Sequence, residues 1–208
     1  NAFENCGNLI SITIPEGEIE ICVDAFLNTG WYNEQEEGWL YLSDWFIGYK
    51  GEIPTNTDLI IREGTKGVVR QLFFSNESRN NIKSVTIPSS VIHICLGSFH
   101  MCDGIESLKV AEFNQYYDSR NDCNAIIRTS DNTLIQGCPV TIIPDDITAI
   151  DVFSFAGLKE LTSIYIPANV KSLGLFAFSQ CENLTTITCH ALIPPICNGD
   201  VFSFDKSN

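Results

Sequence analysis

Apolar residues recur along the chain in one long register, Ala-Phe-x-x-Cys-x-x-Leu-x-x-Ile-x-Ile-Pro-x-x-x-Ile. The register is clearest from Ala2 to Ile19 and again from Ala177 to Cys189. Aligned on the second apolar residue of the Leu-x-x-Ile-x-Ile part, the copies have their anchors at Ile12, Leu59, Val85, Leu108, Thr141, Ile164 and Ile187. Three of the steps between neighbouring anchors are 23 residues long. A fixed period of about 20–29 residues with this core predicts a leucine-rich repeat solenoid, in which stacked units share one core.

Within each unit, Leu-x-x-Ile-x-Ile predicts a short strand whose alternate side chains point inward. A proline then ends the strand, because proline cannot donate to a ladder. We expect the strands to stack into one parallel sheet that lines a concave face. A Val or Ile on the return leg packs against the same layer, and irregular, 3-10 or short helical turns cover the convex side. The prolines and the return-leg residues are Pro15, Pro88, Pro144 and Pro167, and Ile19, Val91, Ile147 and Val170.

A small residue followed by Phe marks each convex turn, where the small residue makes room and the ring fills the interior. These pairs are Ala25-Phe26, Ser98-Phe99, Ser154-Phe155 and Ala177-Phe178. Together with the strand isoleucines, the rings predict the core. The residues expected to be almost fully buried are Phe3, Phe26, Phe99, Phe155, Phe178, Ile14, Ile87 and Ile166.

Two units are longer than the others. The step from Phe26 to Phe74 is 48 residues and the step from Phe99 to Phe155 is 56, whereas Phe155 and Phe178 are 23 apart. Both long units contain two apolar runs around a turn, which predicts β-hairpins inserted at about residues 31–52 and 114–138. The repeat resumes after each, so we expect residues 1–208 to form a single domain. Insertions in solenoids lie on one face, often the face that binds.

The long register with its recurring Ile-Pro resembles the BspA-like leucine-rich repeats of bacterial surface proteins, which also occur in some anaerobic protists. The resemblance covers the chain outside the two hairpins. It implies a secreted or surface-anchored protein that takes part in adhesion to host proteins and other cells, with no catalytic residues and no cofactor. The two long units depart from the family pattern, so the ligand of a relative does not carry over.

Acidic residues dominate the charge of the chain, since 26 Asp and Glu against 12 Lys and Arg give a formal net charge of −14. Without a basic stripe, the chain is not expected to bind nucleic acid or to adsorb to an anionic membrane surface. No apolar run reaches the about 20 residues of a membrane span, so direct membrane insertion of this segment is not expected. The chain opens in the middle of a repeat at Asn1. We therefore expect a fragment of a longer product, with any signal or anchor outside this chain.

Nine cysteines are an odd number, so they cannot all pair with one another. Cys123 and Cys138 flank the second hairpin, where a disulfide and two free thiols are both compatible with the turn. No Cys-x-x-Cys occurs and the three histidines are scattered, so no metal site is expected. Five other cysteines recur at repeat positions, which predicts ladders of small, buried and reduced thiols. They are Cys6, Cys22, Cys95, Cys102 and Cys181.

The first hairpin concentrates aromatic residues, whose flat rings suit a sugar ring or a protein hot spot. Strand alternation places Leu40 and Leu42 on the inward face. It leaves Trp39 and Tyr41 exposed on the other face. The alternative interpretation is that the rings pack the hairpin onto the solenoid, since an isolated hairpin is marginally stable. The candidate ligand-binding residues are Trp31, Trp39, Tyr41, Trp45 and Tyr49.

The outward side of the repeat strands, on the concave face, is a second candidate surface. It is rich in Ser and Thr and weakly charged, which suits an extended partner. Thr is also favoured on any exposed strand, so this composition has a purely structural interpretation as well. The candidate residues on this face are Thr13, Thr86, Lys109, Tyr165 and Thr188.

No catalytic motif is found among Gly-x-Ser-x-Gly, phosphate-binding glycine loops and His-Glu-x-x-His. We therefore expect no enzyme. The first hypothesis is a surface or secreted module that adheres to a protein ligand. Carbohydrate binding by the first hairpin is the second hypothesis, and a structural spacer that holds another domain is the third.

Overall fold

A computed structural model describes residues 2–14, 21, 23–73 and 75–202. Within these residues it confirms the predicted solenoid, because short parallel strands stack in successive layers and the helices are few and short. Some residues named above lie outside the described ranges, namely Asn1, Pro15, Ile19, Cys22 and Phe74.

The elements of the described chain are mostly strands. The helical segments are α1 (Gly30–Glu34) and three 3-10 turns, Val23–Phe26, Arg79–Asn81 and Arg120–Asp122. The strands are β1 (Gly38–Leu42), β2 (Trp45–Lys50), β3 (Thr57–Ile60), β4 (Gly67–Val68), β5 (Ile82–Ile87), β6 (His93–Ile94), β7 (Ser107–Val110), β8 (Tyr117–Asp118), β9 (Ala125–Arg128), β10 (Thr133–Gly137), β11 (Ala149–Ile150), β12 (Ser163–Ile166), β13 (Ser172–Leu173), β14 (Thr186–Cys189) and β15 (Ile196–Cys197).

The repeat strands pair in the predicted register. Leu59 of β3 lies opposite Val85 of β5, which in turn lies opposite Leu108 of β7. Ile164 of β12 lies opposite Ile187 of β14. All these pairs are parallel, so each anchor of the repeat stacks on the anchor of the next unit.

The repeat strands do not form the one continuous sheet that the pattern predicted. They form a sheet of order β3-β5-β7 and a separate pair, β12-β14, while the anchors Ile12 and Thr141 lie in irregular segments. Near Thr141 the chain bonds to the second insertion instead. The Ile142 amide donates to the Cys123 carbonyl at 3.0 Å. The Thr141 hydroxyl donates to the Asn124 carbonyl at 2.5 Å. The second insertion therefore interrupts the sheet.

A second series of short strands forms on the return leg, where the pattern predicted packing alone. Parallel pairing joins β2, β4 and β6 in one sheet, and β10, β11, β13 and β15 in another. The predicted hairpins are present, since β1 pairs with β2 and β9 with β10, both antiparallel. Strands β2 and β10 each occupy a return-leg place in the stack. Each hairpin is thus fused to a sheet of the solenoid.

The aromatic core is confirmed along most of the chain. The buried members of the predicted set are Phe26, Phe99, Phe155, Phe178, Ile87 and Ile166. Phe155 stacks on Phe178 with 5.1 Å between the ring centroids. The prediction is wrong for Phe3, which is 47% exposed, and for Ile14, which is half-buried. Both lie in the first described layer, where Phe3 stacks on Phe26 on one side only among the described residues.

The second hairpin is a layer of the core. Apolar residues on the N-terminal side of it, from Phe26 to Leu108, form one buried cluster, and those on the C-terminal side, from Ile143 to Val201, form another. Ile126 belongs to the N-terminal cluster and Ile127 to the C-terminal cluster. The strands of this hairpin are therefore covered on both faces. Insertions in solenoids often lie on a face that is open to a partner, but β9 and β10 are buried inside the core and form no such face.

Burial differs among the cysteines at the repeat positions. Cys102 and Cys181 are buried, as predicted, and burial raises the pKa of Cys102 to about 12 and that of Cys181 to about 11. Cys95 is half-buried. Cys6 is exposed, so the prediction of a buried thiol is wrong there, because Cys6 lies in the first described layer as Phe3 does.

Both cysteines that flank the second hairpin are buried free thiols. Cys123 packs in the C-terminal cluster and Cys138 in the N-terminal cluster. The Cys138 thiol donates to the Asn124 carbonyl at 3.4 Å. Burial raises the pKa of Cys123 to about 11 and also raises the pKa of Cys138. Of the two alternatives, the structure shows two free thiols at Cys123 and Cys138.

Candidate functional site

The first hairpin presents less aromatic surface than its alternation predicted. Leu40 and Leu42 are buried, as expected. Trp39 is half-buried, because its ring packs edge-on against Tyr49 at 4.7 Å and against Phe46 at 5.8 Å between centroids. The expectation that the Trp39 face would be open to solvent is therefore wrong.

Trp45 is a core residue with 3% of its surface exposed. Its ring stacks parallel to that of His93, with 6.4 Å between centroids. A Cβ atom at Gly67 would lie 2.4 Å from the Trp45 ring. The indole therefore packs directly on the main chain of Gly67. Trp31 is half-buried and contacts Phe26 edge-on at 6.3 Å. As a ligand-binding candidate, Trp45 is contradicted by its burial.

Tyr41 is held by the segment that follows β3. Its hydroxyl accepts a hydrogen bond from the Arg62 amide at 3.1 Å, and the Arg62 guanidinium lies 4.2 Å from its ring centroid. The guanidinium also donates to the Ser43 carbonyl at 3.2 Å. Tyr41 is half-buried rather than exposed, since Arg62 covers one face of its ring.

An open cavity of about 780 Å³ lies beside the hairpin, between α1, the end of β2 and residues 75–81. We call it the α1–β2 cavity. Its volume is in the range of small-molecule sites. Of the five candidate residues in the first hairpin, Tyr49 lines it. Among the described residues, the lining is Leu27, Tyr32, Tyr49, Gly51, Glu52, Ser75, Asn76, Glu77, Ser78 and Asn81.

Hydrogen bonds fix one wall of this cavity to the chain that follows β2. The Asn76 amide donates to the Gly51 carbonyl at 3.2 Å. The Ile53 amide donates to the Ser78 hydroxyl at 2.7 Å, and the Asn81 side chain donates to the Ile53 carbonyl at 2.7 Å. The wall is therefore organised before any ligand arrives.

The α1–β2 cavity is acidic. Glu52 and Glu77 are exposed, and neither makes an ion pair with another described residue. The nearby Lys50 makes no ion pair with either glutamate, and its ammonium donates instead to three main-chain carbonyls around the end of α1. These acceptors are the carbonyls of Tyr32, Asn33 and Gln35, at 3.0, 3.0 and 2.6 Å.

The outward side of the repeat strands is largely open, as predicted. Thr86 lies opposite Lys109, and Tyr165 lies opposite Thr188, on parallel neighbouring strands. Four of the five candidates on this face are exposed and Thr86 is half-buried. The exposed residues are Thr13, Lys109, Tyr165 and Thr188. The split between β7 and β12 separates the candidates into two groups along the solenoid.

Large apolar side chains add to this outward surface. Ile60 is 69% exposed and Ile142 is 74% exposed. Ile60 stands between the buried Leu59 and Ile61, which orient it outward, and Ile142 lies between the half-buried Thr141 and the buried Ile143. The repeat register also places Ile60 and Ile142 at the outward position, but a hydroxyl-rich interpretation of this face assigns no binding role to an isoleucine.

Exposed aromatic residues lie at the start of the second insertion and just before it. Phe113 is 81% exposed, and Tyr116 is also exposed. Tyr116 lines a groove of about 870 Å³ between β6 and the second hairpin. The neighbouring Tyr117 is buried, and its hydroxyl accepts from the Ile94 amide at 3.0 Å. The sequence did not predict this patch, because it does not indicate which of the adjacent Tyr116 and Tyr117 is buried and which is exposed.

Two further properties concern metals and membranes. No group of three or more His, Cys, Asp or Glu side chains in the described ranges has the arrangement of a metal site. None of the helices found in the described residues has the length and apolar character needed to cross a bilayer.

A family model for the BspA type leucine rich repeat region matches the chain in six copies, over residues 1–34, 59–125 and 135–206. The two internal gaps, 35–58 and 126–134, contain the paired strands of the first hairpin and most of the second. No curated protein matches the chain.

Several solved structures are similar to part of the chain at low identity. The pneumococcal vaccine antigen PcpA is 16% identical, with 70% of this chain and 40% of that one covered and a TM-score of 0.50. A leucine-rich repeat protein from Eubacterium ventriosum is 21% identical over 65% of this chain and 42% of its own, with a TM-score of 0.48. A leucine rich cell surface protein from Faecalibacterium prausnitzii is 20% identical over 63% and 41%, also at 0.48. The chain thus spans less than half the length of these proteins.

Proposed function

The chain belongs to the BspA-type leucine-rich repeat family, and on that premise we propose that it is a non-enzymatic module, secreted or at the cell surface, that adheres to a protein partner. The location rests on the family resemblance. The binding proposal rests on one observation, which is the row of large exposed side chains along the outward side of the repeat strands. Fold alone does not decide function, so the surface has to carry the argument.

The outward row combines apolar, aromatic and cationic groups on a rigid base. Ile60 and Tyr165 are exposed, while the adjacent strand residues Leu59 and Ile164 are buried. Because the buried neighbours fix the backbone, Ile60 and Tyr165 lose little further backbone conformational entropy when a partner binds. Tyr is also among the residues that dominate binding hot spots. Lys109 adds a cation that no described acidic group pairs with.

The first hairpin supports protein adhesion less well. The rings of Trp39, Tyr41 and Trp45 pack against other residues of the protein, which leaves less aromatic surface for a partner. A structural spacer would need no exposed row at all, and Ile60 and Ile142 give the solenoid an apolar outward surface that a spacer does not require.

The test uses peptides selected from a phage-displayed random library against the protein, because the natural partner is unidentified. We expect the dominant selected peptides to compete with one another for one surface. Ile60→Ser and Tyr165→Ala should each weaken their binding about tenfold or more, as hot-spot truncations do. Melting temperature should hardly change, since both side chains are exposed.

Phe113→Ser is the matched control, because Phe113 is an exposed apolar residue away from the repeat strands. It should leave peptide binding unchanged. If the selected peptides bind equally well to both outward-row variants, the outward row is not the adhesive surface and the proposal fails.

A further inference from the structure

We propose that the α1–β2 cavity is a separate binding site for a neutral carbohydrate, with room for one or two hexopyranose rings. The site differs in position and chemistry from the outward row of the repeat strands, so either proposal can fail without the other. Its volume of about 780 Å³ and its mixed aromatic and polar lining are the starting observations.

Tyr49 supplies the stacking surface of the cavity. Its ring is held edge-on by Trp39 at 4.7 Å and 81°, so it is oriented before a ligand binds. Aromatic rings with a polar edge contribute a large contact area at low entropic cost, which suits the apolar face of a sugar ring. Tyr32, from α1, lines the same cavity, and its ring also lies 5.2 Å from the Lys50 ammonium.

Glu52 and Glu77 supply acceptors for sugar hydroxyls. Ionised carboxylates accept hydrogen bonds and donate none, and hydrogen bonds to them are stronger than those between neutral groups. Neither carboxylate is engaged by another described residue through an ion pair. A ligand with several adjacent hydroxyl donors would satisfy both.

The charge of the lining selects against anionic ligands. Within the described part of the chain, two glutamates and no Lys or Arg line the cavity. A phosphate, a nucleotide or an acidic sugar would meet like charge there. The wall that contains Asn76, Ser78 and Asn81 is hydrogen-bonded to residues 51–53. It therefore gives the cavity a fixed shape. A neutral, hydroxyl-rich ring meets all of these conditions.

The test is isothermal titration calorimetry with a panel of neutral trisaccharides: maltotriose, cellotriose, mannotriose and triacetylchitotriose. We expect at least one to bind with an affinity that hardly changes between low and high salt, because the ligand carries no charge. Tyr49→Ala and Glu77→Gln should each weaken that binding about tenfold or more. Glu77 is exposed, so Glu77→Gln tests the site without a packing defect.

Matched controls exist at the second insertion. Tyr116→Ala and Glu112→Gln change an exposed tyrosine and an exposed glutamate outside the cavity, and neither should alter trisaccharide binding. Absence of binding by all four sugars at millimolar concentration would overturn the proposal. So would binding that survives both cavity variants. Preferential binding of oligolysine, abolished by high salt, would overturn it in favour of a site for basic peptide segments.

Discussion

Ile126 and Ile127 are neighbours on β9, and both are completely buried, yet they pack in two different hydrophobic clusters. Side chains on a strand alternate between its faces, so each isoleucine meets a different half of the solenoid. Strand β10 repeats the arrangement, with Leu134 in the C-terminal cluster and Ile135 in the N-terminal one. The second hairpin therefore joins the two halves as a shared layer.

The first prediction follows from this shared layer. Ile126→Ala and Ile127→Ala should each lower the free energy of unfolding by about 2–5 kcal/mol, since each leaves a cavity in a closely packed core. Chemical denaturation of both single variants and the double variant measures this. Because the two side chains face different clusters, the double variant should be less stable than either single variant. A loss under about 1 kcal/mol in both single variants would mean that the hairpin is a surface attachment.

The stacking of the repeat could be predicted from sequence because its cause is local and periodic. Leu59 and Val85 are 26 residues apart and Val85 and Leu108 are 23 apart, and each faces the next in the stack as the repeat register and the strand alternation require. Both hairpins were also found, since each has two apolar runs around a turn. In these segments the information that decides the structure lies within a few residues.

The burial of the hairpin side chains could not be predicted from the sequence. It comes from contacts with residues of other units, and the repeat spacing does not indicate which residues these are. Alternation correctly set Leu40 opposite Trp39, but Trp39 also meets Phe73 from a later unit, at 6.3 Å. The α1–β2 cavity has the same origin. Tyr49 and Glu77 share it only because residues 75–81 fold back beside β2.

The second prediction concerns thiol reactivity. Cys102 and Cys181 should resist iodoacetamide in the native protein, because burial blocks access and raises their pKa values to about 12 and about 11. A raised pKa leaves little of the nucleophilic thiolate at neutral pH. The exposed Cys6, Cys189 and Cys197 should label readily. Mass spectrometry of the labelled peptides, with denatured protein as the control, reads out each site.

Thiolate availability also sets the direction of the pH dependence. Raising the pH from about 7 to about 9 should leave Cys102 unlabelled, because its pKa of about 12 keeps the thiol protonated over that range. Rapid labelling of Cys102 in native protein would contradict its assigned burial.

The third prediction concerns the contact between Gly67 and Trp45. Gly67→Ala should lower stability by about 1–3 kcal/mol, because the new Cβ would lie 2.4 Å from the Trp45 ring in a packed core. The loss should appear as a lower melting temperature together with a changed near-ultraviolet circular dichroism signal from the indole. Gly7→Ala is the control, since a Cβ there meets no atom within 4 Å. Equal stability of the two variants would show that Trp45 does not pack on Gly67.

The last prediction separates structural from ligand-binding roles in the first hairpin. Trp39 touches Phe46, Phe73 and Tyr49, so Trp39→Ala should cost about 3 kcal/mol of stability through lost burial and ring contacts. Tyr116→Ala, at an exposed ring, should cost less than about 0.5 kcal/mol, as surface changes usually do. Thermal denaturation compares the two directly. If Trp39→Ala instead melts with the parent protein, the packing of Trp39 against Phe46, Phe73 and Tyr49 does not describe the protein in solution. A loss of peptide affinity in that stable variant would make Trp39 a ligand contact.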